Sequence, residues 1–281
     1  MTFQKIGIVG AGTMGHGIAH VSALAGSDVL LYDTTLELAQ KGVAKIKGNL
    51  DKGVEKGKLA AEARDAALQK IVATGTLADF ATCDLIIEAI PEKMELKKAL
   101  FEQLDSINPR AVLATNTSSL SVAAIAAAVV DSSRVIGTHF FNPVHIMALL
   151  ELVVHAETAP TVLDSVLAWG AAIGKECIVV HDAPGFATSR LGVCLGMEAI
   201  RMLEQGVASA EDIDKAMVLG YRHPVGPLRL TDMVGLDVRM NIGSYLAKTL
   251  NNPAFEPPEL MKQKVAEGHL GQKSGQGFYK W

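Results

Sequence analysis

Apolar residues recur along this chain in two rhythms. Short β-branched or aliphatic runs at Lys5 to Val9, Asp28 to Tyr32, Ile71 to Thr74, Asp84 to Ile90, Ala111 to Thr115 and Arg134 to Thr138 read as buried strands. Helical periodicity separates them. It covers Thr13 to Ala25, closed by Gly26, then Leu36 to about Lys70 with expected breaks at Gly53 and Gly57, Met94 to Ser106, and Val122 to Val129. Two further strand runs follow at Leu149 to Val154 and Cys177 to Val180. From Gly185 onward the rhythm is helical: Phe186 to Gln205 before Gly206, Ser209 to Leu219, Leu228 to Leu250, and Glu259 to Glu267. The pattern predicts an α/β doubly wound sheet over residues 1–183 and an all-α domain over 184–281, divided by the turn at Asp182, Ala183 and Pro184.

The first predicted strand runs straight into Gly10, Ala11, Gly12, Thr13, Met14 and Gly15, which open the first helix. This is G-x-G-x-x-G in the context it needs. Gly10 permits the tight turn, Gly12 lets a pyrophosphate approach the backbone, and Gly15 lets helix and strand pack closely. The helix N-terminus offers unpaired N–H groups and the positive end of its dipole to phosphate. Asp33 ends the second predicted strand, 18 residues past Gly15, where a carboxylate accepts the adenosine ribose hydroxyls and repels a 2′-phosphate. The unit therefore reads as a Rossmann-type fold that binds NAD in preference to NADP.

Composition narrows the remaining classes. The 281 residues are 49% hydrophobic but only 5% aromatic, which suits aliphatic helices packed on a parallel sheet. A net charge of −4 supplies no basic field, so neither nucleic acid nor an anionic membrane is expected as a partner. No apolar run reaches the length of a membrane span, and no basic leader precedes the first strand, so a cytoplasmic protein is expected. The Asn116-Thr117-Ser118 sequon is then not a glycosylation site. Cys83, Cys177 and Cys194 are too few and too scattered for a disulfide framework or zinc, and are expected reduced and buried. No metal is expected. Gly271 to Ser274 lacks a P-loop's Gly-Lys and reads as a turn.

Ligands of open α/β sheets collect at the carboxyl ends of the strands. Three such ends carry polar residues here: Glu92 and Lys93 after Ile90, Asn116 to Ser119 after Thr115, and His139 after Thr138. Pro143 restricts Asn142 to an extended or turn conformation close to that histidine. Glu151 interrupts an apolar run, where a carboxylate needs a partner, and His139 is the expected one. A carboxylate on one ring nitrogen sets the tautomer and leaves the other nitrogen to take a proton. His16, His20, His145, His155, His181, His223 and His269 read as structural.

These segments resemble the 3-hydroxyacyl-CoA dehydrogenase family, including its short-chain 3-hydroxybutyryl-CoA members, over essentially the whole chain. The resemblance is carried by GAGTMGHG from Gly10, ATNTSSL from Ala114, GTHFFNP from Gly137, PGFATSR from Pro184, HPVGP from His223 with GLD from Gly235, and GQKSGQGFY from Gly271. It implies that His139 and Glu151 are the catalytic pair, that Ser118 hydrogen-bonds the substrate 3-oxygen, and that Asn142 flanks the imidazole. It implies NAD contacts at Gly10, Gly12, Thr13, Met14, Gly15, Asp33, Glu92, Lys97 and Asn116, and CoA phosphate contact at Lys56. Hydride would pass from C3 of an (S)-3-hydroxyacyl-CoA to the nicotinamide. The helical domain is similar to the family's dimerisation domain, which implies a homodimer with acyl-CoA between domains, and with no hydratase domain the enzyme is expected to be free-standing.

One position departs from the family. Ser189 stands where many members have an Asn that helps hold the thioester or keto oxygen; the shorter serine is expected either to bond the substrate through water or to leave the activity lower. Two other functions fit parts of the pattern: a dehydrogenase of a free hydroxy acid or sugar acid, and a non-catalytic NAD-binding structural protein. The Ser118, His139 and Glu151 set argues against the second.

Overall fold

The computed structural model describes residues 3–281, and the chain divides into two compact units, 1–182 and 183–281. In the first, strands β1 (Lys5–Val9), β2 (Asp28–Tyr32), β3 (Ile71–Thr74), β4 (Leu85–Glu88), β5 (Val112–Thr115), β6 (Val135–Phe140), β7 (Leu149–Val154) and β8 (Glu176–His181) form one sheet in the order β3-β2-β1-β4-β5-β6-β7-β8. Helices α1 (Thr13–Leu24), α2 (Leu36–Glu55), α3 (Ala61–Gln69), α4 (Met94–Ile107), α5 (Val122–Ala126) and α6 (Pro160–Ala172) connect the strands. The order reverses between β1 and β4, and that switch point opens a crevice at the strands' carboxyl ends.

The first six strands are mutually parallel, and their core positions are almost wholly aliphatic: Ile6, Ile8, Leu31, Leu85, Ile87 and Ala114 are all buried. Residues covered on both faces need no alternation, which is why these strands read as continuous apolar runs. β7 breaks the pattern. It runs antiparallel to β6, with Gly137, Thr138, His139 and Phe140 opposite Val153, Leu152, Glu151 and Leu150, and β8 then pairs parallel to β7.

Several sequence expectations change. His139 lies inside β6 rather than after it, because pairing with β7 extends the strand to Phe140. Gly53 does not break α2, which continues to Glu55 and gives way at Gly57 (φ 65°). α6, absent from the reading of periodicity, starts on Pro160 and buries Val162, Val166 and Trp169 against the sheet. Only Cys83 is buried; Cys177 is half-buried and Cys194 is exposed on the helix that opens the second unit, where Val193, Met197 and Ile200 take the core face instead.

The second unit is helical: α7 (Thr188–Glu204), α8 (Ala210–Lys215) running into a π-turn at Ala216–Gly220, α9 (Pro227–Val234), α10 (Leu236–Leu250) and α11 (Glu259–Ala266). The single helix expected over Leu228 to Leu250 is two, parted at Gly235, whose φ of 104° only glycine adopts without strain. Two buried carboxylates tie this unit together. Asp232 accepts from the Phe278 and Tyr279 amides and the Trp281 indole, and Asp214 accepts from the Leu228 and Arg229 amides and the Tyr279 hydroxyl. A Cβ at Gly226 would lie 2.2 Å from Asp214, and one at Gly277 2.2 Å from Asp232. Gly226 of HPVGP and Gly277 of GQKSGQGFY thus make room for carboxylates.

Candidate active site

The turn after β1 has the shape of a phosphate cradle. A Cβ on Gly15 would lie 1.6 Å from the Gly10 carbonyl oxygen, and one on Gly10 (φ 100°) 2.7 Å from that of Ala89. On Gly12 it would meet nothing within 4 Å, so the backbone there is open to a ligand. No side chain caps α1 at Gly12, and its first turn, with Thr13 and Met14, carries no acid. An uncapped helix end without negative charge suits a pyrophosphate. Asp33 follows β2; its Oδ2 accepts from the Ala11 amide at 2.9 Å and its Oδ1 from the Thr34 amide at 2.7 Å. These residues fit a dinucleotide: the turn has room and donors for phosphate, and the carboxylate beside it is an acceptor of the kind ribose hydroxyls need.

Across the switch point lies a network of buried charge. Glu88 and Lys97 are both 0% exposed. Glu88 Oε1 accepts from Lys97 Nζ at 2.6 Å and from the Ile90 amide at 2.7 Å, and Oε2 accepts from Thr115 Oγ1 at 2.7 Å. Lys97 Nζ also stands 3.3 Å from Glu92 Oε2. Glu92 Oε1 in turn accepts from Thr117 Oγ1 (2.6 Å), the Ser118 amide (2.8 Å), Ser118 Oγ (3.2 Å) and the Ser119 amide (3.2 Å). Burial pushes the Glu92 carboxyl up, but the Lys97 ammonium and the hydrogen bonds from Thr117 and Ser118 outweigh it and hold the group below the usual carboxylate range.

The third component is the β6–β7 ladder. His139 and Glu151 are register partners on antiparallel strands, so their side chains share one face of the sheet. His139 Nδ1 lies 2.7 Å from Glu151 Oε2, with Glu151 wholly buried and His139 nearly so. Phe141 leans against the imidazole at 4.5 Å between ring centroids. Asn116 Oδ1 accepts from the Phe140 amide at 2.9 Å, joining the Ser118 loop to the strand that carries His139. The arrangement can hold one ring nitrogen on a carboxylate while the other exchanges a proton.

Residues 5–183 match the NAD binding domain of 3-hydroxyacyl-CoA dehydrogenase, and residues 185–281 match the C-terminal domain of the same family. The chain belongs to that family. A 3-hydroxybutyryl-CoA dehydrogenase of Bradyrhizobium diazoefficiens is 42% identical over 98% of this chain and 94% of its own length, and one of Mycobacterium tuberculosis is 41% identical over 98% of both. The crystal structure of (S)-3-hydroxybutyryl-CoA dehydrogenase from Ralstonia eutropha superposes with a TM-score of 0.96 at 40% identity, covering 100% of this chain and 99% of that one. The chain is accordingly an NAD-dependent dehydrogenase.

The family's other expected contacts fall on several elements. Asn142 is exposed in the turn after His139 and precedes a cis peptide to Pro143. Lys56 is exposed at the C-terminal cap of α2. Ser189 lies in the first turn of α7, in the second unit. Lys97, expected to line the cofactor site, is buried and held between two carboxylates. Sequence reasoning missed Glu88 altogether. The signal was available, because a carboxylate inside the apolar run Leu85–Glu88 is as conspicuous as Glu151 inside β7. Among the described residues no group of three His, Cys, Asp or Glu could hold a metal, and no helix is long and apolar enough to cross a membrane.

Proposed function

We propose that this chain interconverts a short-chain (S)-3-hydroxyacyl-CoA and its 3-oxoacyl-CoA, with 3-hydroxybutyryl-CoA and acetoacetyl-CoA as the natural pair. The observation that carries the reading is the register pairing of His139 with Glu151 beside the Ser118 loop, in a chain about 40% identical to dehydrogenases named for that substrate. NAD, when bound, supplies the hydride acceptor. His139 takes the 3-hydroxyl proton at Nε2, Glu151 holds the proton on Nδ1 and stabilises the imidazolium, and Ser118 hydrogen-bonds the 3-oxygen. Asn142 flanks the imidazole. Gly10, Gly12, Thr13, Met14, Gly15 and Asp33 hold the pyrophosphate and adenosine ribose, and Glu92, Lys97 and Asn116 organise the nicotinamide end.

Lys56 meets the CoA phosphates, and its position at the end of a helix facing solvent supports that role. Ser189 replaces the family's Asn and reaches the thioester or keto oxygen with a shorter side chain. Residues 1–183 act as the NAD-binding domain and residues 184–281 as the substrate and dimerisation domain of a cytoplasmic homodimer. Leu191, Leu219 and Tyr221, each more than 70% exposed in the second unit, support self-association.

The deciding measurement is NADH consumption with acetoacetyl-CoA, compared with longer 3-oxoacyl-CoAs, with free acetoacetate and with NADPH. Turnover is expected to be fastest with acetoacetyl-CoA and NADH. Equal rates on the free acid would move the function to hydroxy acids. The Lys56→Ala variant is expected to raise KM for acetoacetyl-CoA at low salt and to lose that defect at high salt.

A further inference from the structure

We propose that Glu88 is the positioning residue of the Ser118 loop, acting at two removes through Lys97 and Glu92. The inference rests on the reading above for the role of Ser118, but its geometry is independent of any substrate. Glu88 ends β4, which pairs with β1 on one side and β5 on the other. From there its carboxylate ties three segments at once: the Ile90 amide beside the dinucleotide turn, Thr115 at the head of the Ser118 loop, and Lys97 on α4.

Charge explains why the tie matters. The cluster holds two carboxylates and one ammonium, all shut away from water except at the Glu92 edge. A buried ammonium must be neutralised by whatever carboxylate can reach it. With Glu88 in place at 2.6 Å, Lys97 makes only a looser 3.3 Å contact with Glu92 Oε2. Glu92 Oε1 is thereby left to collect four donors from Thr117, Ser118 and Ser119. Without the charge of Glu88, Lys97 draws Glu92 inward, and the loop loses the oxygen on which its two amides and two hydroxyls converge. Glu88 thus sets where Ser118 stands without approaching a ligand itself.

The test is Glu88→Gln, which keeps shape and removes charge. Hydrogen exchange of the protein without cofactor is expected to quicken about tenfold over residues 116–121, the scale of one lost hydrogen bond, while the β1 and β2 amides keep their protection. Adding Lys97→Met removes the unbalanced ammonium and is expected to restore slow exchange in that segment. With acetoacetyl-CoA and NADH, E88Q is expected to cut kcat/KM about tenfold in the native background and less than about twofold in a Ser118→Ala background, because the two changes act on one group. Exchange that rises evenly across the sheet, or stays unchanged over 116–121, overturns the proposal. So does a double variant worse than E88Q. If E88Q does not fold, Glu92→Gln cuts the relay one step nearer the loop with Glu88 and Lys97 still paired, and unchanged exchange over 116–121 is again fatal to the relay. Absence of turnover in the native enzyme counts against the substrate reading alone, since exchange reports on the relay separately.

Discussion

Two histidines in this molecule have opposite surroundings and opposite expected behaviour. His139 meets a buried carboxylate, and His139→Ala is expected to lower turnover about 10²- to 10⁴-fold. NADH affinity, followed by fluorescence titration, is expected to stay nearly constant; equal losses in both would make the residue a structural one. His20 meets only neutral or positive groups. It stacks on His145 at 5.1 Å with His16 and Lys175 nearby, its Nδ1 has no hydrogen-bond partner, and burial first, then those charges, lower its pKa to about 4. The unfolded chain, with its histidine near 6.5, therefore takes up the proton first as pH falls. Stability is fully present above pH 6.5 and drains away toward pH 4, by up to about 1.4 kcal/mol per pH unit. Urea midpoints measured between about pH 7 and pH 5 are expected to fall more steeply for the native protein than for His20→Phe, and parallel slopes would dismiss the assignment. Sequence exposed the first histidine through Glu151, a charge in an apolar run. The second read only as a structural histidine, without its pH sensitivity, because a neutral buried imidazole leaves no mark on hydropathy.

Elements with a strong rhythm were legible and those defined by their partners were not. β1, α1 and β2 have the bounds their pattern predicts to within a residue, since apolar runs and glycine punctuation are local properties. The direction of β7 depends on which neighbour it pairs with, which no local pattern encodes. The π-turn after α8 has no local signature either, whereas the break at Gly235 is glycine punctuation hidden by the helical rhythm on both sides of it. At this scale the most exacting device is Asp232, wholly buried beneath the C-terminal segment and accepting from two amides and an indole. Asp232→Ala leaves those donors without their carboxylate and is expected to destabilise the second unit by about 3 kcal/mol or more. Limited proteolysis after Leu270 should be markedly faster in the variant, and an unchanged cleavage rate would assign the clamp no weight.

For the whole molecule, the α/β and all-α halves were legible from composition and periodicity, because one texture stops near residue 183 and the other begins. The exposure of Leu219 and Tyr221, which supports the proposed homodimer, was not legible there, since it depends on helices whose faces only the fold defines. Sedimentation equilibrium is expected to return twice the 29.7 kDa chain mass, and a single-chain mass at assay concentrations would rule the homodimer out. His139 and Glu151 stand opposite one another on a single antiparallel strand pair. The pair is spaced by a backbone ladder, not by a meeting of distant segments, so imidazole and carboxylate travel as one rigid cassette. The connecting stretch, residues 141–148, does not set that spacing; it is anchored on its own account, with Phe141 against the imidazole and the Val144 and Met147 carbonyls accepting from the Lys175 ammonium.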